Sequence, residues 1–541
     1  MGFLQSWTAS VCTHLLWFLT VTNPSTTLTS TLGQGELLEC LRTKNITTVS
    51  PGSPGFSQDS LNFNRRLPYT PAAIVFPESA QQVSTAILCA AGAGIHVAAR
   101  SGGHNYGAFS LGGKNGSLVV DLANMNKTAV HADGTASFQT GNRLGDVALT
   151  LFNKGGRAMA HGTCPHVGSG GHAGCGGFGF ASRMWGLLID QVEAAEVVLA
   201  NGSIVQASAF TNSDLFWAIR GASPSFGIVT EYTTRTHAAP SENTIFTYTY
   251  LALPSMATKI FLEFQNFSAS SAPPELGLQV SVRPYWQRGV VNMNITGVYY
   301  GRISQFHEVF RPLLSSISSM GINPYYEDIT TYAWVPSLIQ LSEVGTLDTS
   351  SPILKNSHDT FFAKSLMVYD DSLLNEKAIQ SFFDYVGLLG DHPQVSWFVL
   401  VDLFGGNGSA IRAMANTATA YSQRKGLYNF QMYASSPNHE PPFPAEGLPF
   451  VNEMFGSITR NMPSNWSFGA FACYTDPTLE PQQWQSRYYG ENLPKLITLR
   501  SLYDNKTLFN YPQAIPNSRL NSEINSDMYS FIPTVQRFLN V

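Results

Sequence analysis

The sequence predicts an α+β protein of two domains, and three observations carry that reading. Ala72-Ala-Ile-Val-Phe76 and Ile95-His-Val-Ala-Ala99 are short strand-like runs, and between them Val83, Ile87 and Leu88 mark one apolar helical face. From about Ile245 to Gly469, stretches such as Gly277-Leu-Gln-Val-Ser-Val282 and Asn292-Met-Asn-Ile-Thr-Gly-Val-Tyr299 alternate in polarity, the signature of antiparallel strands, with helical segments between them. At 541 residues the chain is also too long for one small core.

Taken in order, Gly33 to Thr43 reads as a short helix and Thr47 to Arg65 as a polar loop without an obvious functional group. Ser79 is placed to cap the helix of the strand-helix-strand unit. Strands are expected at Ser117–Leu122 and Ala136–Gly141, then a helix over Asp146–Phe152. Glu196–Ala200 and Ser203–Ala207 flank Asn201-Gly202, a strong two-residue hairpin signal. Ser213–Arg220 reads as a helix and Phe226–Thr230 as a buried strand.

Charged residues make up 12% of the chain, against about 25% in ordinary soluble proteins, and the formal charge is −5 with no basic tract. A nucleic-acid partner would leave a basic footprint, so that class is set aside. Nine Asn-x-Ser/Thr sequons begin at Asn45, Asn115, Asn126, Asn201, Asn266, Asn294, Asn407, Asn465 and Asn505, which favours a secreted glycoprotein. The apolar run Val11–Val21 followed by small polar residues reads as a signal peptide over residues 1–22, although no Lys or Arg precedes it. No later segment is apolar enough to span a bilayer, so no stable membrane association is expected. Of six cysteines, Cys12 leaves with the signal. Cys40 and Cys89 are either a bridge or two thiols, and Cys175 and Cys473 read as buried thiols.

Two glycine-dense loops hold the chemistry: Arg100-Ser-Gly-Gly-His-Asn-Tyr-Gly107, and Gly162-Thr-Cys-Pro-His-Val-Gly-Ser-Gly-Gly-His172 with its continuation to Gly179. Glycine lets backbone approach a ligand closely, so each loop frames one reactive side chain, His104 and Cys164. Two nucleophilic side chains on separate loops make sense together if both meet one electrophilic ring, and backbone dipoles near Cys164 would favour the reactive thiolate. Gly174-Cys-Gly-Gly-Phe-Gly179 satisfies a dinucleotide fingerprint with Glu193 and Glu196 downstream, but the preceding Gly-, His- and Pro-rich residues form no strand. His161, Cys164, His166, His172 and Cys175 lack the ligand spacing of a zinc site, so no metal is expected.

Both loops together resemble the motifs R-S-G-G-H and G-x-C-P-x-V-G-x-G-G-H of the fungal-type berberine bridge enzyme-like FAD-linked oxidases, in the vanillyl-alcohol oxidase superfamily. The resemblance runs from about Leu67 to the end of the chain. It implies a PCMH-type FAD-binding domain of two α/β subdomains over 67–240, an α+β substrate domain with an antiparallel sheet over 245–480, and a segment over 481–541 returning to the first domain. It implies FAD bonded through its 8α-methyl carbon to His104 and through carbon 6 to Cys164. Arg100, Gly102, Gly103 and Asn105 would shape the cofactor bed with Gly168, Gly170, Gly171 and His172, and Gln513 would join from the C-terminal return. Family members also have a bridge comparable to Cys40–Cys89.

The resemblance further implies that Tyr474, assisted by Asp402, removes a substrate hydroxyl proton while hydride leaves for the flavin, and that Gln431 contacts bound sugar. A phenol with a pKa of about 10 needs a carboxylate neighbour to act as a base near neutrality. Without the resemblance, Asp402 reads as a strand-end cap and Tyr474 as a core aromatic. Leu400 stands where sugar-oxidising relatives carry a second amide, so a hydroxylated secondary metabolite is the first substrate expected and a mono- or oligosaccharide the second. The aromatic residues Tyr285, Trp286, Tyr299, Tyr300, Tyr325, Tyr326, Tyr332 and Trp334 do not choose between them. The remaining expectations are O2 as electron acceptor giving H2O2, and a monomer. A reading from another class is a non-catalytic, carbohydrate-binding surface glycoprotein that retains the fold.

Overall fold

The computed structural model describes residues 24–518 apart from 343, 351–357 and 390–393. The expected signal segment and the end of the C-terminal segment lie outside the described residues.

The first sheet has the order β1-β2-β4-β3, from β1 (Thr48–Val49), β2 (Ala73–Val75), β3 (Val97–Arg100) and β4 (Leu118–Asp121). β2, β4 and β3 run parallel, and β1 is antiparallel at the edge. The crossover from β2 to β3 is helix α1 (Ala80–Gly92), whose Ser79 cap accepts from Gln82 N–H at 3.3 Å and whose Val83, Ala86 and Ile87 are buried. The helix predicted over 33–43 runs over Pro24–Thr43 and packs on α1, with Cys40 bonded to Cys89. The predicted polar loop 47–65 contains β1 and a single helical turn, Phe56–Asp59, so this sheet begins upstream of Leu67.

The second sheet is antiparallel, in the order β5-β6-β9-β7-β8: β5 (Thr128–Val130), β6 (Thr135–Gln139), β7 (Val192–Val198), β8 (Ile204–Ser208) and β9 (Ile228–Arg235). The predicted hairpin is β7–β8, with Gly202 at φ +80°. Helix α2 (Leu144–Gly155) buries Leu144, Val147, Ala148 and Leu151.

The third sheet has seven antiparallel strands in the order β13-β10-β12-β11-β15-β16-β14. They are β10 (Asn243–Ala252), β11 (Leu276–Arg283), β12 (Val291–Tyr299), β13 (Tyr326–Tyr332), β14 (Phe361–Tyr369), β15 (Ser396–Leu403) and β16 (Gly426–Ser435). Because side chains alternate across a strand, register sorts the two faces. Val280, Val401, Phe430 and Leu366 align on one face, which is covered by helices over Pro254–Ser270, Ile303–Ser319, Glu376–Leu388 and Gly447–Thr459. The other face is polar: Gln279, Asp402 and Asn429 form one row, and Ser281, Leu400, Gln431 and Ser365 the next.

The C-terminal residues lie against the first two sheets. Val97 N–H donates to the Leu508 carbonyl at 2.9 Å, and Ile515 N–H donates to Ser225 Oγ at 3.0 Å.

One expectation is corrected. Cys175 and Cys473 are not thiols but a disulfide, 298 residues apart with Cα atoms 5.5 Å apart. Packing brings them together: Gly176 has no Cβ, and one there would lie 3.0 Å from the Phe471 ring.

Candidate active site

β3 ends at Arg100 and delivers the first glycine loop. Arg100 is buried, with Nε 2.5 Å from Asp121 Oδ2 and its guanidinium donating to the Asp59 carbonyl at 2.5 Å. Two of its donors are thus spent on fixing the strand end. The second loop leads into helix α3 (Ser169–Cys175).

The two loops are pressed together backbone to backbone. A Cβ on Gly102 would overlap the Gly168 nitrogen, and one on Gly168 would overlap the Gly102 nitrogen. Gly170 N–H donates to Ser101 Oγ at 3.2 Å. Arg143, which nothing in the sequence singles out, donates to the Gly102 carbonyl at 2.6 Å and the His166 carbonyl at 2.8 Å, so one guanidinium clasps both loops. Asn105 organises its own turn by accepting from Gly107 and Phe109 N–H, and donates to Thr475 Oγ1 at 3.2 Å. His172 Nε2 accepts from Gly162 N–H at 3.1 Å. Gly103 has φ +77°, and Gly171 is exposed with open space where a Cβ would stand.

His104 keeps partial exposure, with its ring stacked on Phe63 at 4.3 Å. Desolvation, with the positive charge of Arg143 nearby, lowers its pKa to about 3, so the imidazole is neutral and nucleophilic at pH 7. Cys164 is the free cysteine among the described residues. Burial raises its pKa, opposed by the His166 and Val167 amides and by Arg143. Backbone dipoles do favour the thiolate there, as the sequence suggested, but burial outweighs them and the resting side chain is a thiol.

Asp402 and Tyr474 meet. Tyr474 interacts with the Asp402 carboxylate, whose Oδ1 accepts from Gln279 Nε2 at 2.7 Å. Burial raises the Asp402 pKa to about 6, while Gln279 and Tyr474 hold it down in part. Tyr474 is raised well above the usual phenol value, first by burial and then by the Asp402 charge. The ring of Tyr106 stacks on Tyr474 at 5.7 Å, and its hydroxyl accepts from Gln431 Nε2 at 2.6 Å. Directly across the ladder from Gln431 stands Leu400.

Tyr474 lies in a turn, and other groups pin it. Phe471 N–H donates to Ser365 Oγ at 2.8 Å, Lys364 Nζ lies 2.6 Å from Asp476 Oδ2, and buried Gln513 donates to the Asp476 carbonyl at 2.7 Å. The aromatic residues singled out from sequence lie elsewhere: Trp286, Tyr325 and Tyr326 are exposed, and Tyr299 and Trp334 are buried. Those beside Tyr474 and His104 are Tyr106, Phe361, Tyr433 and Phe63, linked ring to ring. A composition count cannot distinguish them from core residues.

The residues fit a flavin. A neutral imidazole and a free thiol stand on two loops held in contact, and the polar face of the seven-stranded sheet carries Asp402, which interacts with Tyr474.

Comparison with known proteins agrees. Residues 71–208 match the FAD binding domain family, and residues 450–516 the berberine and berberine-like family. The chain is 34% identical to a chitooligosaccharide oxidase of Gibberella zeae over 88% of this chain and 93% of that one. It is 35% identical to an FAD-linked oxidoreductase of Metarhizium anisopliae over 88% and 90%. Among solved structures, the glucooligosaccharide oxidase of Acremonium strictum, described with a 6-S-cysteinyl, 8α-N1-histidyl FAD, superposes with a TM-score of 0.81 at 30% identity, covering 89% of this chain and 99% of that one. By sequence, fold and the two loops, the chain belongs to the berberine bridge enzyme-like family of FAD-dependent oxidoreductases.

Proposed function

We propose that the protein oxidises the C1 hydroxyl of a mono- or oligosaccharide to the lactone, with O2 reduced to H2O2. The observation that carries this is the interacting Tyr474–Asp402 pair, with Asp402 on the polar side of the seven-stranded sheet. Carbohydrate oxidases recur among the relatives, which moves sugars ahead of the secondary metabolite that Leu400 suggested. An apolar side chain opposite Gln431 remains the observation favouring the second reading.

His104 and Cys164 would hold FAD covalently, and Gly171 would border it. Bound FAD supplies the hydride acceptor and returns the electrons to O2. The protein supplies orientation and proton transfer. Tyr474 Oη takes the substrate hydroxyl proton as its own proton moves to Asp402, so the high phenol pKa is no barrier while Asp402 is ionised. Gln279 keeps one carboxylate oxygen of Asp402 occupied and so limits how the carboxylate can turn. Gln431, whose Nε2 is engaged by Tyr106, would offer its carbonyl oxygen to a sugar hydroxyl.

No helix among the described residues is long and apolar enough to cross a membrane. Two disulfides and exposed sequons support passage through the secretory route. Oxygen uptake by the purified enzyme, with cello-, xylo- and chito-oligosaccharides and with hydroxylated aromatic metabolites, tests the reading. Turnover confined to the metabolites would reverse the order.

A further inference from the structure

Tyr474 occupies a turn with neither helix nor strand to hold it, and its backbone N–H reaches only the Phe471 carbonyl three residues earlier, at 2.9 Å. The neighbouring residue, Cys473, is bonded to Cys175. Cys175 ends helix α3, which continues the loop that carries Cys164 eleven residues upstream. We propose that the Cys175–Cys473 disulfide positions Tyr474 for proton removal, placing the proton acceptor and the cofactor-bearing loop in one covalent frame. This rests on the reading of Tyr474 as the base.

Three features argue for positioning over mere stapling. The crosslink falls on the residue next to Tyr474, in a turn whose other tethers act elsewhere along it: Ser365 on Phe471, Asn105 on Thr475, and Lys364 and Gln513 on Asp476. The Tyr474 side chain is held by ring contacts, stacked on Tyr106 at 5.7 Å and edge-on to Phe471 at 5.1 Å, and by its interaction with Asp402, none of which fixes the backbone of the turn. The second bridge, Cys40–Cys89, ties two helices beside the first sheet and touches neither loop nor turn, which makes it an internal control. A misplacement of about 1 Å between reacting groups costs on the order of 100-fold in rate, so a turn freed at Cys473 slows the chemical step while flavin and fold remain.

The test is a double-mutant cycle read as the anaerobic rate of flavin reduction by cellobiose or chitobiose, or by whichever compound the oxygen-uptake panel identifies, per acid-stable flavin. Cys175→Ser/Cys473→Ser is expected to lower this rate about 10- to 100-fold, with KM changed less than threefold and covalent flavin retained. In a Tyr474→Phe background the same pair of changes is expected to cost less than twofold further. Cys40→Ser/Cys89→Ser is expected to leave the rate unchanged. Equal losses with and without the Tyr474→Phe change, or no loss in either case, would overturn the proposal. A wild-type rate in Tyr474→Phe alone would instead remove the base assignment, and with it this inference. Should Cys175→Ser/Cys473→Ser not accumulate folded, TCEP titration of the folded Cys40→Ser/Cys89→Ser enzyme opens the remaining bridge among the described residues. The reduction rate should then fall in step with alkylation of Cys473, and a rate that stays constant as Cys473 becomes alkylated overturns the proposal.

Discussion

Asp402 offers a quantitative prediction, because its raised pKa and its contact with Tyr474 put the proton-accepting step under pH control. Burial lifts the carboxyl from an ordinary 3.8 to about 6. Only the ionised form can receive the Tyr474 proton, so kcat/KM should rise with pH through about 6 and level off above 7. At one unit below that pKa about one tenth of the enzyme is competent, so activity at pH 5 should be roughly a tenth of the plateau. Asp402→Asn should remove this limb and lower the plateau about 100- to 10,000-fold, the usual worth of a positioned acid–base group. The same burial works against stability. A carboxyl whose folded pKa exceeds its unfolded value binds its proton more tightly when folded, so stability is lost as pH rises from about 4 to about 6. The loss amounts to about 3 kcal/mol, and Asp402→Asn should flatten it. Anaerobic stopped-flow from pH 4.5 to 8 and denaturation across the same range measure both. A wild-type profile flat across pH 6, or a limb surviving in Asp402→Asn, would refute the assignment.

Further outcomes follow from the loops and the surface. Gly102→Ala should yield no folded holoenzyme, since its methyl would meet the Gly168 backbone, whereas Gly171→Ala should fold normally yet lose flavin, read as absorbance of the acid-precipitated protein. Arg143→Met leaves two loop carbonyls without their charged donor, worth about 1.5–3 kcal/mol each, and should lower both the melting temperature and the acid-stable flavin content. Peptide mapping of secreted protein should find glycans on exposed asparagines such as Asn115, Asn201, Asn407 and Asn505. Asn294 should be bare, because its amide is engaged by Thr249 and Ser281 within the sheet.

Much of this was legible in the sequence because its signals are local. Val83, Ile87 and Ser79 announced α1, Asn201-Gly202 the β7–β8 turn, and the alternation in 277–299 two strands of the large sheet. His104, Cys164, Asp402 and Tyr474 were singled out through motifs, and the fold lets the last two interact. Arg143 was not: a lone arginine at a helix start carries no signal until the fold brings Gly102 and His166 to it. Phe63 lay in a segment set aside as a polar loop, because stacking on His104 is a purely tertiary property. The Cys175–Cys473 bridge was accessible by arithmetic. With Cys12 set aside in the expected signal, Cys164 reserved and Cys40 paired with Cys89, two cysteines remain, and an oxidising compartment pairs leftovers.

The large sheet separates two kinds of selection. Residues that hold it together point toward the helices, while Leu400, Ser281, Ser365 and Gln431 point away from them, one residue out of step along the same strands. A side chain such as Leu400 can therefore change without touching the helix-facing core, whereas Ser365, which holds both Asn429 and the Phe471 amide, cannot. Position 400 thus faces Gln431 across the ladder, where a change of side chain alters the lining of the polar face and leaves the scaffold's core alone.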